Sequence, residues 1–132
     1  MKVYFYCLFA LCLSSPSFAL DCQQAYTTIE VNQCAQQELL SAEKKMQRYL
    51  AQSIAQFRDD SLVAESIEQA QHAWLAYRKT HCDSVYNQWR GGTIRTVMAI
   101  ACETKLTQQR TRELWLNYLT FMDSTPPILP EP

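Results

Sequence analysis

Apolar side chains recur at steps of three and four residues along most of this chain, the period of an amphipathic helix. In the first such stretch the stripe runs through Leu39, Ala42, Met46, Tyr49, Leu50, Ile54 and Phe57. It is preceded by Thr27-Thr28-Ile29-Glu30, a capping-box pattern that predicts a helix start, with the Thr27 hydroxyl and the Glu30 carboxylate exchanging hydrogen bonds. Arg58-Asp59-Asp60-Ser61 breaks the period, and Asp60 or Ser61 suits the cap of a second helix. The stripe there is Val63, Ile67, Ala70, Trp74, Tyr77 and His81, with Leu75, Cys82 and Val85 on an adjoining face. Neither glycine nor proline interrupts Leu20 to Arg90, which favours long helices over strands.

Gly91-Gly92 offers a permissive backbone for a reversal. Thr93 then suits the cap of a third helix carrying Ile94, Val97, Met98, Ala101, Cys102 and Leu106, then Leu114, Trp115, Tyr118, Leu119 and Met122. Arg110 interrupts that stripe one turn after Leu106. Four of the ten residues from Asp123 to Pro132 are proline, so the helix is expected to end near Met122 and the segment beyond to be an extended or disordered tail. With short connections and no β-type alternation, the expected fold is all-α, an antiparallel bundle of three main helices.

Composition changes this picture at the two ends. Met1 to Ala19 reads as a secretory signal peptide: Lys2 is the positive region, Val3 to Leu13 the apolar region, and Ser17-Phe18-Ala19 a small-x-small cleavage site. The domain division is therefore 1–19 signal peptide, 20–122 helical domain and 123–132 proline-rich tail. An exported protein in the periplasm follows, with no stable membrane insertion, because the apolar run is shorter than the ~20 residues a spanning helix needs. Without Lys2 the basic residues fall from 12 to 11 against 13 acidic ones, a near balance that argues against nucleic acid as the main partner.

Removal of Cys7 and Cys12 with the signal leaves Cys22, Cys34, Cys82 and Cys102. An even count in an exported chain predicts two disulfides. Three pairings are possible, and Cys22–Cys34 with Cys82–Cys102 is favoured because each closes a short segment. Folding the chain at the glycine pair also brings Cys82 level with Cys102. The spacings do not suit a zinc site, which favours closely spaced pairs.

Candidate chemistry is sparse. His72 and His81 lack the i, i+4 geometry of a helical metal pair, and His81 on the core stripe is expected to be a hydrogen-bonded interior residue. No nucleophile elbow or phosphate-cradling loop occurs. The residues point to a binding module rather than an enzyme, with no metal and no cofactor. Its candidate surface is the hairpin tip, Asn87, Gln88, Trp89, Arg90, Gly91, Gly92 and Arg95, because tryptophan and arginine are enriched in binding hot spots.

The run Ala70-Gln71-x-x-Trp74-x-x-Tyr77-Arg78-x-x-x-Cys82, the Gly91-Gly92-Thr93 turn and Ala101-Cys102-x-x-x-Leu106-Thr107-x-x-Arg110-x-x-x-Leu114 together resemble the LprI-type lysozyme-inhibitor family. Cys22 and Asn32-x-Cys34-Ala35-x-x-Glu38 agree as well, so the resemblance spans Cys22 to about Leu116. Lys45-Met46 departs from the Leu-Asn pair of many relatives. The resemblance implies an exported helical protein that binds a lysozyme or another peptidoglycan-modifying enzyme or effector and occludes its cleft. Two alternatives accompany it: an immunity protein against a secreted peptidoglycan-targeting effector, and a structural envelope domain without an enzyme target. The matched charges Glu38, Arg78 and Arg110 are expected to form an inter-helix network.

Overall fold

A computed structural model of the chain describes residues 20–132; the expected signal peptide lies outside the described residues. Among the described residues there are three α-helices and no strand: α1 (Thr28–Gln56), α2 (Ser61–Gln88) and α3 (Arg95–Leu114), arranged up, down and up. A π-helical turn, Trp115–Leu119, extends α3 directly.

The local signals at the first two helix starts act as their chemistry dictates. Thr27 Oγ1 accepts from the Glu30 amide at 3.2 Å, and Glu30 Oε2 accepts from the Thr27 amide at 2.9 Å, which completes the capping box. These bonds, that from the Thr27 backbone first and that from Tyr26 next, hold the Glu30 carboxyl below the usual carboxylate range. Asp60 Oδ1 accepts from the Val63 amide at 3.3 Å and starts α2. The third start departs from expectation. Ile94, not Thr93, occupies the cap position of α3 and makes no side-chain cap bond.

One apolar cluster holds the end of the bundle where α1 turns into α2. Met46, Tyr49, Ile67, Leu114 and Leu119 are buried there, and Leu50, Ile54, Phe57, Val63, Trp74, Trp115 and Tyr118 pack around them. Phe57 meets Tyr118 edge to face, with ring centroids 6.1 Å apart. Fully burying one such side chain contributes about 1.5–3 kcal/mol, so this cluster is the main apolar contribution to the fold.

Hydroxyls line the α1–α3 interface beside the apolar core. Ser53, Thr104, Thr107 and Thr111 are all buried. Each hydroxyl donates to the carbonyl four residues earlier on its own helix: Tyr49, Ile100, Glu103 and Thr107 respectively. The helix thus satisfies these polar groups internally and buries residues that a hydrophobicity pattern assigns to solvent.

α2 is rotated relative to the expected stripe. Gln71 and Cys82 are buried with Ile67, and Arg78 and Trp74 are half-buried. Ala70, Tyr77 and His81, expected inside, are exposed, and the Tyr77 and His81 rings stack on each other at 5.4 Å on the outer surface. The physical reason lies in what α2 meets. Its inner face contacts carboxylate and hydroxyl groups of α1 and α3, which suit Arg78 and Gln71 better than an aromatic ring.

The tail also differs from a disordered one. Residues 120–132 carry no regular element, and those from Phe121 to Pro127 are exposed. Ile128 and Leu129 then pack on the apolar cluster, and the Ile128 amide donates to Leu119 O at 2.9 Å. Burial of two branched side chains is what draws the segment back.

Candidate functional site

Two places bring the sequence-derived candidates together: the turn between α2 and α3, and a polar layer below it. Cys82–Cys102 joins the two helices under the turn with Cα atoms 5.7 Å apart, and Cys22–Cys34 ties the lead-in to α1 at 5.6 Å. Cys82 is buried, so the staple is internal while the turn beyond it is open.

At the turn, Asn87, Gln88, Trp89, Arg90, Gly91 and Gly92 are all exposed, Trp89 to 38% and the neighbouring Ile94 to 43%. Main-chain bonds from Arg90 to Asn87 O and from Gly92 to Trp89 O, at 3.2 and 3.0 Å, define the reversal. Arg90 pairs with no carboxylate among the described residues; its guanidinium reaches the Asn87 carbonyl at 3.4 Å. Arg95 is different. Its guanidinium lies 3.7 Å over the Tyr86 ring, half-buried, with Nε enclosed and unbonded. The turn thus carries one cation held on an aromatic ring, one that pairs with no carboxylate among the described residues, and an exposed indole.

The glycine pair does not serve the reversal in the expected way. Neither glycine has a positive φ. A Cβ at Gly91 would meet nothing within 4 Å, and one at Gly92 would meet only the Trp89 carbonyl oxygen at 3.8 Å and an Ile94 side-chain carbon at 4.0 Å. Backbone sterics would tolerate side chains at both positions. The pair leaves a low, uncovered surface beside Trp89.

Below the staple, Arg78 joins all three helices. Its Nη1 contacts Glu43 Oε1 of α1 at 2.9 Å and Thr107 Oγ1 of α3 at 2.8 Å, and its guanidinium carbon lies 5.3 Å from the Trp74 ring centroid. Thr107 donates to Glu103 O while accepting from Arg78, so its hydroxyl is used in both directions. Arg110 donates through Nε to Gln71 Oε1 at 3.1 Å and through Nη1 to Glu113 at 3.3 Å. Gln71 in turn directs its amide nitrogen to Met46 Sδ at 3.6 Å.

Glu38 is not part of this layer. It is exposed and, among the described residues, pairs with no cation. Glu38 and Glu43 flank the buried stripe of α1 on opposite sides: Glu43 faces α2, whereas Glu38 faces a groove shared with α3. Arg78 therefore pairs with Glu43 and Arg110 with Gln71, in place of the expected Glu38. Glu43 lies four residues after the buried Leu39 and three before the buried Met46, a spacing that could have marked it.

Among the described residues no group of His, Cys, Asp and Glu suits a metal ion, and no helix is long and apolar enough to cross a membrane.

The family model for the lysozyme inhibitor LprI matches residues 20–114, which takes in both disulfides, the turn and both arginines. The chain belongs to the LprI lysozyme-inhibitor family. A protein of Rhizobium meliloti (strain 1021) described as uncharacterized is 29% identical to it, over 79% of this chain and 86% of its own. No solved structure matches. LprI membership makes an inhibitor and a protein partner the coarse reading, and the two disulfides fit an oxidising compartment outside the cytoplasm. The segment from Trp115 to Pro132 lies beyond the family match.

Proposed function

We propose that this protein is an exported, periplasmic inhibitor that binds a lysozyme or another peptidoglycan-active enzyme and occludes its cleft with the stapled α2–α3 turn. The target class rests on membership in the LprI family. The surface rests on one observation: Trp89 and Arg90 stand exposed on a turn that a disulfide ties down at its base. A tied turn loses little conformational entropy on docking, so more of its contact energy appears as affinity. Glycosidase clefts carry a pair of carboxylates. Arg90, which pairs with no carboxylate among the described residues, offers the matching charge. Gly91 and Gly92 let a partner's backbone approach beside the indole.

The test is inhibition of cell-wall lysis by the oxidised protein against a panel of lysozymes and other peptidoglycan-cleaving enzymes. One or more should be inhibited stoichiometrically, and Trp89→Ala with Arg90→Ala should weaken that inhibition at least tenfold while leaving thermal unfolding unchanged. Undiminished inhibition by the double variant would move the surface elsewhere. A panel untouched by the wild-type protein would remove the inhibitor reading itself.

A further inference from the structure

Among the described residues three arginines are half-buried: Arg78, Arg95 and Arg110. Arg78 holds Glu43 at 2.9 Å and Arg110 holds Glu113 at 3.3 Å. Arg95 pairs with no carboxylate among the described residues. Arginine side chains there donate hydrogen bonds at Arg78, Arg90, Arg110 and Arg112, and not at Arg95. Its Nε is enclosed without a partner. Drawing a guanidinium partly out of water with no acceptor costs free energy, so the fold alone does not account for it.

Nor does the local backbone ask for a cation. Arg95 opens α3, whose first turn has no acidic residue and no side-chain cap, so the positive end of the helix dipole opposes its charge. What holds it is the Tyr86 ring of α2, with the guanidinium carbon 3.7 Å from the centroid. A ring engages the flat face of a guanidinium and leaves the in-plane N–H groups unused. Of the Arg95 nitrogens only Nε is enclosed without a partner, so the Nη1–Nη2 edge is the one left for a ligand. Its two parallel N–H groups form the fork that a carboxylate accepts at both oxygens. Arg78 makes the contrast direct. It too lies on a ring, 5.3 Å from the Trp74 centroid, but its anion comes from its own chain.

We propose that Arg95 is the carboxylate-reading residue of the α2–α3 docking surface, taking an aspartate or glutamate side chain of the enzyme cleft on its Nη1–Nη2 edge, with Tyr86 as the positioning residue that holds the fork in place. That the partner is an enzyme rests on the inhibitor reading above; that the site accepts a carboxylate does not. The two arginines of the turn then act at different stages. Arg90 is exposed and reaches only the Asn87 carbonyl among the described residues, so its charge acts on the encounter. Arg95, half-buried and stacked, has less side-chain freedom to lose and meets its carboxylate partly out of water, so it slows departure.

The experiment uses the oxidised protein, with circular dichroism to check the fold of each variant. Two readouts need no enzyme. Sodium acetate, compared with sodium chloride at equal ionic strength, should move the Arg95 Nε–H resonance at least twice as far as that of Arg90, and Tyr86→Leu should remove the difference. Arg95→Met, which keeps an apolar stem, should unfold no more than roughly 4 °C below the wild type, because the fold supplies no anion for the charge it removes. Against an inhibited lysozyme, Arg95→Met and Tyr86→Leu should each weaken inhibition at least tenfold through faster dissociation. Tyr86→Phe, which keeps the ring, should restore it, whereas Arg90→Ala should slow association. An acetate shift no larger at Arg95 than at Arg90, a greater fall in unfolding temperature, or inhibition unchanged by Arg95→Met would each overturn the assignment. A panel that the wild type leaves uninhibited would overturn the inhibitor reading alone, and the acetate shift and the unfolding temperature would still decide the carboxylate site.

Discussion

The two ends of this bundle are held by different means. The end near Phe57 is closed by burial: Ile67, Leu114 and Leu119 are 1% exposed or less, Phe57 and Tyr118 cover them, and neither disulfide of the described residues lies there. The end near Gly91 has little such cover, with Trp89 and Ile94 both more than a third exposed, and two disulfides lie on its side. Between them sits the polar layer of Glu43, Gln71, Arg78, Thr107 and Arg110. An apolar core stabilises by removing surface from water, so it cannot stabilise a region that must stay uncovered for a partner. A cross-link can, because it acts on the unfolded chain and leaves the surface free. The difference is the one that the docking role proposed for the turn calls for.

The largest effect should come from opening the apolar end. Ile67 is 1% exposed at the centre of the cluster, and Ile67→Ala should cost about 2–5 kcal/mol in urea unfolding. A loss below ~1 kcal/mol would mean that this end is not the core and would break the comparison. Next comes the staple. Replacing Cys82 and Cys102 by serine together should cost about 3 kcal/mol on the chain-entropy account. Amide exchange should then quicken most between Val85 and Met98 and least around Tyr49 and Leu114. Uniform acceleration would show that both ends depend equally on the cross-link.

The polar layer gives a sharper contrast, between two glutamates of one helix. Glu43 pairs with Arg78 where the two side chains are 29% and 14% exposed. Glu43→Ala leaves a largely enclosed guanidinium without its anion and should cost about 2 kcal/mol. Glu38→Ala, on the open groove, should stay within about 0.5 kcal/mol. Equal losses would return Glu38 to the network from which the geometry removes it.

How much of this was legible follows from how local each signal is. Thr27 with Glu30 and Asp60 are read correctly because a cap is made within four residues. The pairing of the cysteines is legible because the helical hairpin sets which thiols stand level. The inner face of α2 is legible only at Arg78, through the resemblance; Gln71 and Glu43 are not, because their partners Arg110 and Arg78 are brought to them from other helices. Thr104, Thr107 and Thr111 escape notice for a related reason: the bond to the carbonyl four residues earlier makes a polar side chain cheap to bury, and hydropathy does not register it. Proline content in the tail does signal the absence of a helix. It carries no information about Tyr49, more than seventy residues away in sequence, whose hydroxyl holds Pro130.

A smaller effect concerns the start of α1, at the stapled end. Backbone bonds lower the Glu30 pKa in the folded chain. The contribution to stability is therefore fully present above the unfolded carboxylate value of ~4.3 and is lost as pH falls through the lower folded value. Acid titration of the wild type and Glu30→Ala should converge below that range and separate above it. Parallel curves throughout would remove the capping box from the stability of this end.

The smallest change in stability should come from Gly91→Ala, and it is the most informative for the exposed end. No positive φ and no neighbour within 4 Å oppose a methyl group there. Alanine restricts the unfolded chain more than glycine does, so the variant should be unchanged or more stable by about 0.4–1 kcal/mol in thermal unfolding. If the low surface beside Trp89 admits a partner's backbone, the same methyl should weaken enzyme inhibition at least tenfold while the fold gains or holds its stability. A variant that is both as stable and as inhibitory as the wild type would leave Gly91 without a part in docking. One that is less stable would show that the turn needs its glycine, and the exposed end would then be shaped by folding rather than by a partner.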